Sequence, residues 1–186
     1  MNKGRIEQLG APEELYELPR TAFVATLLGQ SNLFAGDVVE SGDALGIDVA
    51  GRRIVIPAER ARRHSGRIVV GVRPEKLLLH TSEPVSDAAT NAIGPGRVLD
   101  VSFSGVSTSY LVAVPGLGTV TVFAQNMVFG PVVSVGAEVW LSWRVEHGFG
   151  LEDAPEDVPS LAAVPSGGDL DALRHSAVLT GTDAEH

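Results

Sequence analysis

The sequence predicts a mainly β protein in which short antiparallel strands close into a barrel, after one strand and two short helices. Three observations predict this class. Gly and Pro are plentiful, with 21 and 11 residues, and they mark frequent turns. Apolar and polar residues alternate over many short segments, as they do in half-buried strands. Apolar residues make up 44% of the chain, enough for a hydrophobic core, and barrel closure leaves no long strand edge unpaired.

The first 30 residues predict the opening strand and both helices. Residues 3–10 are expected to form the strand. Ala11-Pro12-Glu13-Glu14 then opens a helix, because Pro suits the first turn and carboxylates suit the positive end of the helix dipole. Pro19 ends it. A second helix is expected over residues 20–28, with Gly29 as its C-terminal cap. One buried stripe of this helix is expected to consist of Phe23, Val24, Leu27 and Leu28.

Two groups of strands follow, separated by a polar linker at residues 81–91. Alternating apolar residues predict the first group at residues 33–40, 45–49, 53–56, 67–73 and 77–80. The second group is expected at residues 97–103, 108–114, 119–124, 138–145 and 149–151. Ala50-Gly51 turns the chain within the first group. Trp143 falls on the apolar face of its strand and is expected to lie in the core.

Charge and composition exclude several classes of protein. The formal net charge is −9, whereas nucleic-acid binding requires many Lys and Arg to displace counterions from phosphates. The chain has no Cys, and therefore no disulfide and no thiolate metal ligand. An apolar run of about 18 residues, long enough to span a membrane, is absent from the sequence. We therefore expect a cytoplasmic protein that does not bind nucleic acid and does not insert into a membrane.

Motifs that carry catalytic chemistry are missing from the 186 residues. The phosphate-binding pattern G-x-x-x-x-G-K-[ST] does not occur, and neither do G-x-S-x-G and H-E-x-x-H. The five His residues are never three to five positions apart, so a local metal site is not expected. We therefore assign no catalytic, cofactor-binding or metal-binding residue, and we expect no cofactor in this chain.

Two features leave alternatives open. Six Arg residues between residues 52 and 67 form either a docking face for an acidic partner or lipid headgroups, or an ordinary solvated surface. Trp140 falls on the face of its strand opposite to Trp143, and it lies either at an interface or under a neighbouring loop.

A set of motifs, in order and at sensible spacing, resembles the C-terminal part of importer ATPases of the ABC class. The segment at residues 4–16 is similar to the stretch that follows the switch histidine in importers for polyamines, sugars and ferric iron. The spermidine/putrescine-type branch is the best match, over residues 1–153. The later motifs are Phe23-Val24-Ala25, Leu28-Gly29, Asn32-Leu33-Phe34, Val72-Arg73-Pro74-Glu75, Gly105, Tyr110-Leu111-Val112 and Val139-Trp140-Leu141-Ser142-Trp143.

The resemblance implies a domain division and a fold. Residues 1–30 would be the end of the nucleotide-binding domain, and residues 31–153 would be an oligonucleotide-binding-like (OB-like) barrel, the transport-associated OB (TOBE) domain. Residues 154–186 are expected to be a flexible tail, since they contain few large apolar groups. Family landmarks or interface positions would be Arg73, Pro74, Glu75, Gly105, Tyr110 and Trp140.

The resemblance also implies a function. The parent subunit would bind ATP and Mg²⁺, dimerise beneath a permease at the inner face of the cell membrane and drive solute uptake. This chain would be its regulatory and dimerisation part, without catalytic activity. Because residues 3–28 would normally pack on the missing ATPase core, we expect them either to bind a second copy or to remain loosely packed.

Two alternative functions stand beside this one. A stand-alone small-ligand module would bind an oxyanion or a polyamine, as related OB-like modules bind oxyanions through backbone N–H groups. Such a nest would consist of Gly94, Gly96, Gly105 and Ser107, unless these residues only serve turns and bulges. An oligonucleotide-binding module should have a basic groove with stacking aromatic residues, and the acidic composition argues against it.

Overall fold

Two five-stranded antiparallel sheets form the body of the protein, with two short helices at its N-terminus. The computed structural model describes residues 4, 6–85, 87–125, 133–153 and 155–158. The helices are α1 (Pro12–Glu17) and α2 (Ala22–Leu27). The strands are β1 (Asn32–Glu40), β2 (Ala44–Val49), β3 (Arg52–Pro57), β4 (Arg67–Val72), β5 (Leu78–His80), β6 (Thr90–Ser104), β7 (Ser107–Val114), β8 (Gly118–Gln125), β9 (Glu138–Arg144) and β10 (Phe149–Gly150).

The predicted opening strand is wrong for the residues that can be described. Residues 6–9 have no strand structure. Instead of joining a ladder, this segment is held through one side chain: Gln8 donates from Nε2 to the Leu18 carbonyl at 3.0 Å and accepts at Oε1 from the Arg20 N–H at 2.9 Å. Two apolar residues of the expected strand remain in solvent, with Ile6 60% and Leu9 80% exposed.

Both predicted helices are present, but the buried stripe of the second one differs from the prediction. Helix α2 buries Val24 and Ala25, whereas Leu27 is 65% and Leu28 is 38% exposed. The reason is close packing. Ala25, which is fully buried, belongs to a small apolar cluster with Val69, Phe149, Leu151 and Val158 on the outer side of a sheet. A helix this close needs a small contact residue, so the larger leucines face away.

Each of the two sheets takes one of its edge strands from the other predicted group. The first sheet has the order β10-β4-β1-β2-β3, and the second has the order β5-β9-β6-β7-β8. The late strand β10 thus forms one edge of the first sheet, and the early strand β5 forms one edge of the second. Buried residues of both sheets meet in one continuous core. In this core the rings of Phe34 and Trp143 stack with centroids 6.4 Å apart, which confirms the predicted position of Trp143.

One strand begins earlier than predicted. Strand β6 starts at Thr90, within the expected linker, and runs to Ser104. Gly94, Pro95 and Gly96 are residue types that favour turns, but in the structure they form an irregularity in the pairing with β9 between Ile93 and Gly96. A bulge lets the strand continue through residues that otherwise interrupt ladders.

The two sheets are copies of one pattern, since adding five to a strand number converts β1–β4 into β6–β9. Each copy has an Asn at the start of its first strand, as the first residue of β1 (Asn32) and the second residue of β6 (Asn91). Each has a bulge at the same place, beside Val38 in β1 and beside Val98 in β6. Each also has a glycine without room for a side chain. A Cβ on Gly36 would lie 2.6 Å from the Asp48 carbonyl oxygen, and a Cβ on Gly96 would lie 2.8 Å from Val112 Cγ1.

The turn after the fourth strand of each copy repeats as well. Arg73-Pro74-Glu75-Lys76 follows β4, and Arg144-Val145-Glu146-His147 follows β9. Both segments form a 3-10 turn. The backbone hydrogen bonds match, from the Leu77 N–H to Pro74 O and from the Gly148 N–H to Val145 O. The chain is therefore an internal duplication in which the last short strands, β5 and β10, are exchanged between the copies.

The two opening asparagines join the sheets. Asn32 of β1 accepts from the Thr121 N–H and donates to the Thr121 carbonyl of β8, both at 2.8 Å. Asn91 of β6 makes the same pair of bonds to Val55 of β3, also at 2.8 Å. Since β3 and β8 are the terminal strands of their sheets, each amide satisfies backbone groups that would otherwise lie unpaired at an edge.

We expect Asn91→Ala to destabilise the protein by about 2 kcal/mol. The substitution removes both hydrogen bonds of the buried Asn91 side chain and leaves the N–H and the carbonyl of Val55 without these partners. Asn32→Ala should have a similar effect. Urea unfolding followed by circular dichroism measures both. Ser102→Ala, an exposed hydroxyl in the same strand as Asn91, is the control and should change stability by no more than about 0.5 kcal/mol. Equal stability of Asn91→Ala and wild type would contradict the joining role.

A candidate coupling site between the helices and the sheets

Arg73 lies where the end of β4 meets both helices, and its side chain is buried, with 2% of the residue exposed. The guanidinium lies within hydrogen-bonding distance of five oxygen atoms. Nη2 donates to the Tyr16 carbonyl at 2.8 Å. Nη1 lies 2.8 Å from the Ala25 carbonyl and 2.7 Å from Ser31 Oγ. It is also 3.1 Å and 3.2 Å from the carbonyls of Gly29 and Gln30. One side chain therefore holds three segments of chain together.

The partners of Arg73 are mostly backbone carbonyls at helix ends. Tyr16 lies in the last turn of α1, and Ala25 lies in the last turn of α2. The C-terminal end of a helix carries partial negative charge and unpaired carbonyls, which a cation stabilises. Neither helix has a basic residue of its own in its last turn. Arg73 supplies that cation to both helices from the sheet.

Aromatic rings enclose the same guanidinium. Its Cζ lies 4.1 Å from the centroid of the Tyr16 ring and 5.8 Å from that of Phe149. Contacts of this kind favour a desolvated cation. Burial lowers the pKa of Arg73, while the neighbouring Tyr16 and Glu75 act in the opposite direction. Because arginine remains protonated in proteins, Arg73 stays charged at neutral pH.

Tyr16 extends the site to the 3-10 turn at Pro74–Lys76. Its hydroxyl donates a short hydrogen bond to Glu75 Oε1. Burial first, and then the hydrogen bond to Glu75 and the charge of that carboxylate, raise the pKa of Tyr16 to about 12. The ring therefore stacks on Arg73 while its hydroxyl is anchored two residues further along the chain.

The raised pKa of Tyr16 predicts a loss of stability at high pH. An unfolded Tyr titrates near pH 10, so the folded state favours the neutral phenol, and this contribution is complete below about pH 10. It declines as the pH rises from there to about 12. We expect wild type to exceed Tyr16→Phe in unfolding free energy at pH 8 and to lose this advantage progressively between about pH 10 and about pH 12. Urea unfolding across this range tests it; a constant difference would contradict the assignment.

A second arginine binds the end of α1. Arg60 donates from Nη2 to the Glu17 carbonyl at 2.8 Å and from Nε to the Gly148 carbonyl at 3.0 Å. The Glu17 carboxylate lies 3.5 Å from Arg60 and 3.6 Å from Lys76 Nζ. Sequence reasoning placed Arg60 only within an undifferentiated basic cluster. The Arg60 side chain is only 18% exposed and lies in the 3-10 turn Ala58–Arg60 that follows β3. The spacing of the arginines in the sequence does not reveal this burial.

The start of α2 is held by residues that follow β10. Asp153 Oδ2 accepts from the Ala22 N–H at 2.6 Å, and Thr21 Oγ1 accepts from the Val24 N–H at 3.3 Å. Both oxygens satisfy backbone donors at a helix N-terminus. The Glu152 N–H donates to the Arg20 carbonyl at 2.7 Å. Helix α2 is therefore fixed at both ends, by Asp153 at one and by Arg73 at the other.

This arrangement corrects two expectations. Of the two alternatives for residues 3–28, loose packing is wrong for residues 12–27, since charged hydrogen bonds hold both helices on the sheet and Ala25 is fully buried. Binding of a second copy stays a prediction. The predicted tail begins one residue after Asp153, yet residues 155–157 form a 3-10 turn and Val158 is only 2% exposed. Val158 is ordered because it packs with Phe149 and Leu151. Residues 159–186, the remainder of the predicted tail, lie outside the described residues.

The six landmark positions do not form one site. Arg73 and Glu75 take part in the coupling site, and Pro74 is buried between them. Tyr110 is a core residue, 7% exposed. Gly105 lies in the hairpin between β6 and β7. Trp140 is half-buried on the outer side of the second sheet, where its Cδ1 would lie 2.6 Å from a Cβ on Gly94.

The four residues of the predicted nest are not brought together. Gly94 and Gly96 lie in the middle of β6, against Trp140 and Val112 respectively. Gly105 lies at the far end of the same strand, where its φ of +64° fits the first position of a tight hairpin turn closed by Ser104 and Ser107. About nine residues of strand, roughly 30 Å, separate the two pairs. Oxyanion binding by the nest stays a prediction.

No group of three or more His, Asp or Glu side chains in the described ranges has the geometry of a metal site. Among the helices that can be described, none has the length and apolar character required to cross a membrane. The hydrogen bonds of Arg73 and Arg60 connect the ends of the helices to the strands and turns of the sheets.

Comparison with known proteins yields one family and a series of relatives. Residues 70–151 match the family described as the TOBE domain. The spermidine/putrescine import ATP-binding protein PotA of Acidothermus cellulolyticus is 38% identical over 167 residues, covering 88% of this chain and 43% of the relative. That of Thermobifida fusca is 39% identical, covering 81% of this chain and 39% of the relative. The chain thus spans about two fifths of the length of these relatives.

A solved structure supports the fold. A structure of the cytoplasmic molybdate-binding protein ModG aligns with a TM-score of 0.53 at 18% identity, covering 64% of this chain and 94% of that chain. At this identity the likeness concerns the fold alone. Together with the two curled antiparallel sheets, it confirms the predicted mainly β, OB-like class.

The motifs that suggested an importer ATPase are confirmed by these matches. Arg73, Pro74 and Glu75, together with Gly105, Tyr110 and Trp140, all fall within the matched residues 70–151. The relatives extend the similarity over most of the chain. Residues 70–151 of the chain therefore match the TOBE domain family, and most of the chain is similar to part of spermidine/putrescine import ATP-binding proteins.

Proposed function

We propose that this chain is the regulatory part of the ATP-binding subunit of an ABC importer of the polyamine type, without catalytic activity of its own. The observation that carries the proposal is the coupling site at Arg73, through which two short helices are fixed to the TOBE sheets. By resemblance, these helices belong to the end of the nucleotide-binding domain. A buried, multiply bonded cation at this junction suits a rigid connection between an ATPase core and its regulatory domain.

The outward side of the helices supports the same role. Leu27 and Leu28 of the α2 region are exposed, as are Ile6 and Leu9 before α1. These residues offer an apolar surface on which the ATPase core would pack in the parent subunit. ATP and Mg²⁺ would be bound by that core, and this chain contributes no ligand to them.

In the parent complex, the subunit would lie at the cytoplasmic face of the membrane, bound to permease subunits. Two copies would come together there, with the TOBE sheets contributing to dimerisation. Motion of the core during ATP turnover would pass through α1 and α2 to the sheets, because Arg73, Arg60 and Asp153 fix the helices from three directions.

The alternative of a stand-alone small-ligand module receives no support from the geometry, since the residues proposed for its nest lie at separate positions along β6. The likeness to a molybdate-binding protein concerns the fold, and fold by itself does not determine function.

Two measurements test the proposal. The purified chain should not hydrolyse ATP, and ATP turnover that scales with its concentration would overturn the claim that it is non-catalytic. The coding DNA directly upstream of the Met1 codon should continue in frame through a phosphate-binding loop and a signature loop. An in-frame stop close to Met1 would contradict the role as part of an ATP-binding subunit.

A further inference from the structure

Cationic and titratable side chains gather around the carboxylate at the end of α1. The Glu17 carboxylate lies 3.5 Å from Arg60 Nη2 and 3.6 Å from Lys76 Nζ. His147 belongs to the same group. It is half-buried in the 3-10 turn Val145–His147, and the charges of Lys76, Arg60 and Glu17 all act on its ring. Glu17 therefore already lies between two cations, and a protonated His147 would add a further positive charge.

The internal duplication relates two of these groups. Lys76 is the last residue of the 3-10 turn after β4, and His147 is the last residue of the 3-10 turn after β9. The two residues are therefore equivalent in the two copies. A lysine is charged throughout the neutral range, whereas an unperturbed histidine changes its charge near about pH 6.5. The duplication thus brings one permanent cation and one titratable group to the same end of α1.

The turn that contains His147 also forms part of the attachment of α1. The carbonyl of the next residue, Gly148, accepts from Arg60 Nε at 3.0 Å, and Arg60 Nη2 donates to the Glu17 carbonyl at 2.8 Å. Gly148 packs tightly on β3, since a Cβ at this position would lie 2.5 Å from Ile56 Cγ2. This close packing keeps the turn, and His147 with it, next to Arg60.

The surroundings of His147 favour the neutral imidazole. Burial first, and then the charge of Lys76, lower the pKa of His147, and the charge of Arg60 acts in the same direction. The carboxylates of Glu146 and Glu17 act in the opposite direction, but both already pair with other cations. The ring is therefore uncharged at neutral pH.

We propose that His147 makes the attachment of α1 to the sheets sensitive to acid, so that protonation of its ring releases the end of α1 below about pH 6.5. A protonated His147 would repel Lys76 and Arg60 and would compete with them for Glu17. Helix α1 has six residues, too few to remain helical without packing against the sheets. Its hydrogen bonds should therefore open when the attachment weakens. The inference concerns this chain alone and does not depend on the proposed transport function.

The direction of the pH effect follows from the proton balance of folding. An unfolded His titrates near about pH 6.5, and folded His147 takes up its proton only at lower pH. The unfolded state binds more protons in this range, so the contribution of neutral His147 to stability is complete above about pH 6.5 and declines as the pH falls. Ordinary carboxylates titrate near about pH 4. The interval from pH 7.5 to pH 5.5 therefore reports mainly on histidines.

Hydrogen exchange of the full-length chain tests the proposal. The Leu18 N–H donates to the Glu14 carbonyl at 2.8 Å in the last turn of α1. Its protection factor should fall at least about threefold from pH 7.5 to pH 5.5 in wild type and remain constant in His147→Gln. His147→Lys, which is charged at both pH values, should give low protection at both. His64→Gln removes an exposed histidine and is the matched control, which should follow wild type.

A second measurement does not depend on any substitution. The ring proton shifts of His147 should titrate with a midpoint below that of histidines in the urea-unfolded chain. A midpoint equal to or above the unfolded value would overturn the proposal. It would also be overturned if the protection of Leu18 fell equally in wild type and His147→Gln, or if His147→Lys kept wild-type protection at pH 7.5. Whether the chain hydrolyses ATP affects none of these outcomes.

Discussion

Replacing Arg73 by methionine is expected to lower the free energy of unfolding by about 3 kcal/mol and to release both helices from the sheets. The substitution leaves the carbonyls of Tyr16 and Ala25 without a donor in a buried place, and such groups carry large desolvation costs. It also removes the cation from two helix ends. Urea unfolding gives the free energy, and hydrogen exchange of residues 12–28 gives the release.

The duplication provides a matched control for this prediction. Arg144 occupies the same position in the second copy, but its side chain is 60% exposed and pairs with Glu146 in an exposed ion pair. Exposed ion pairs contribute little to stability. Arg144→Met should therefore change the unfolding free energy by no more than about 0.5 kcal/mol. Equal effects of the two substitutions would contradict a special role for Arg73.

Alanine at Gly36 or at Gly96 is expected to cost about 3 kcal/mol or more and to reduce the yield of folded protein. A Cβ on Gly36 would lie 2.6 Å from the Asp48 carbonyl oxygen, and a Cβ on Gly96 would lie 3.0 Å from the Ala113 carbonyl oxygen. These neighbours are backbone atoms of the paired strand, so relief requires that the strands move apart. Thermal unfolding measures the loss.

Gly42→Ala serves as the comparison for these two substitutions. Gly42 is exposed, and a Cβ there would find its nearest neighbour at an ordinary 3.9 Å. Its substitution should be neutral or slightly stabilising. If Gly36→Ala and Gly42→Ala unfold at the same temperature, the close approach of β1 and β2 is not as described.

Strand periodicity was a reliable guide where one face of a strand is buried and the other is not. The alternating segments of β2, β7 and β8 were located from their apolar residues alone. The start of β6 was missed because Gly94 and Pro95 are typical of turns. Only the partner strand β9 reveals that these residues form a bulge within a continuing strand.

The duplication was readable in part from the sequence. Arg73-Pro74-Glu75-Lys76 and Arg144-Val145-Glu146-His147 share Arg, Glu and a basic or titratable residue at the same spacing. The exchange of β5 and β10 was not readable, because each strand is three residues long or shorter and its partner lies in the other half of the chain. Pairings between distant segments leave no local pattern.

The coupling site, too, was predicted only in part from the sequence. Arg73 and Glu75 were identified as family landmarks, and the resemblance that identified them is confirmed. Their contact with Tyr16 depends on how α1 lies across the end of β4. That placement is set by Arg60, which binds the end of α1 and has no motif in the sequence. Asp153, which holds the start of α2, has no motif either. Leu27 and Leu28 were predicted to be buried because they belong to an apolar stripe at helical spacing. The spacing does not show what covers that stripe.

Native-state hydrogen exchange of α2 in the wild-type chain tests the central claim most directly, namely that the helices and the sheets form one coupled unit. The account predicts that the amides of Ala25 and Leu28, which bond to Thr21 and Val24, exchange with nearly the same opening free energy as the amides of β4. Exchange of α2 at the rate of a free peptide, while β4 remains protected, would contradict the account.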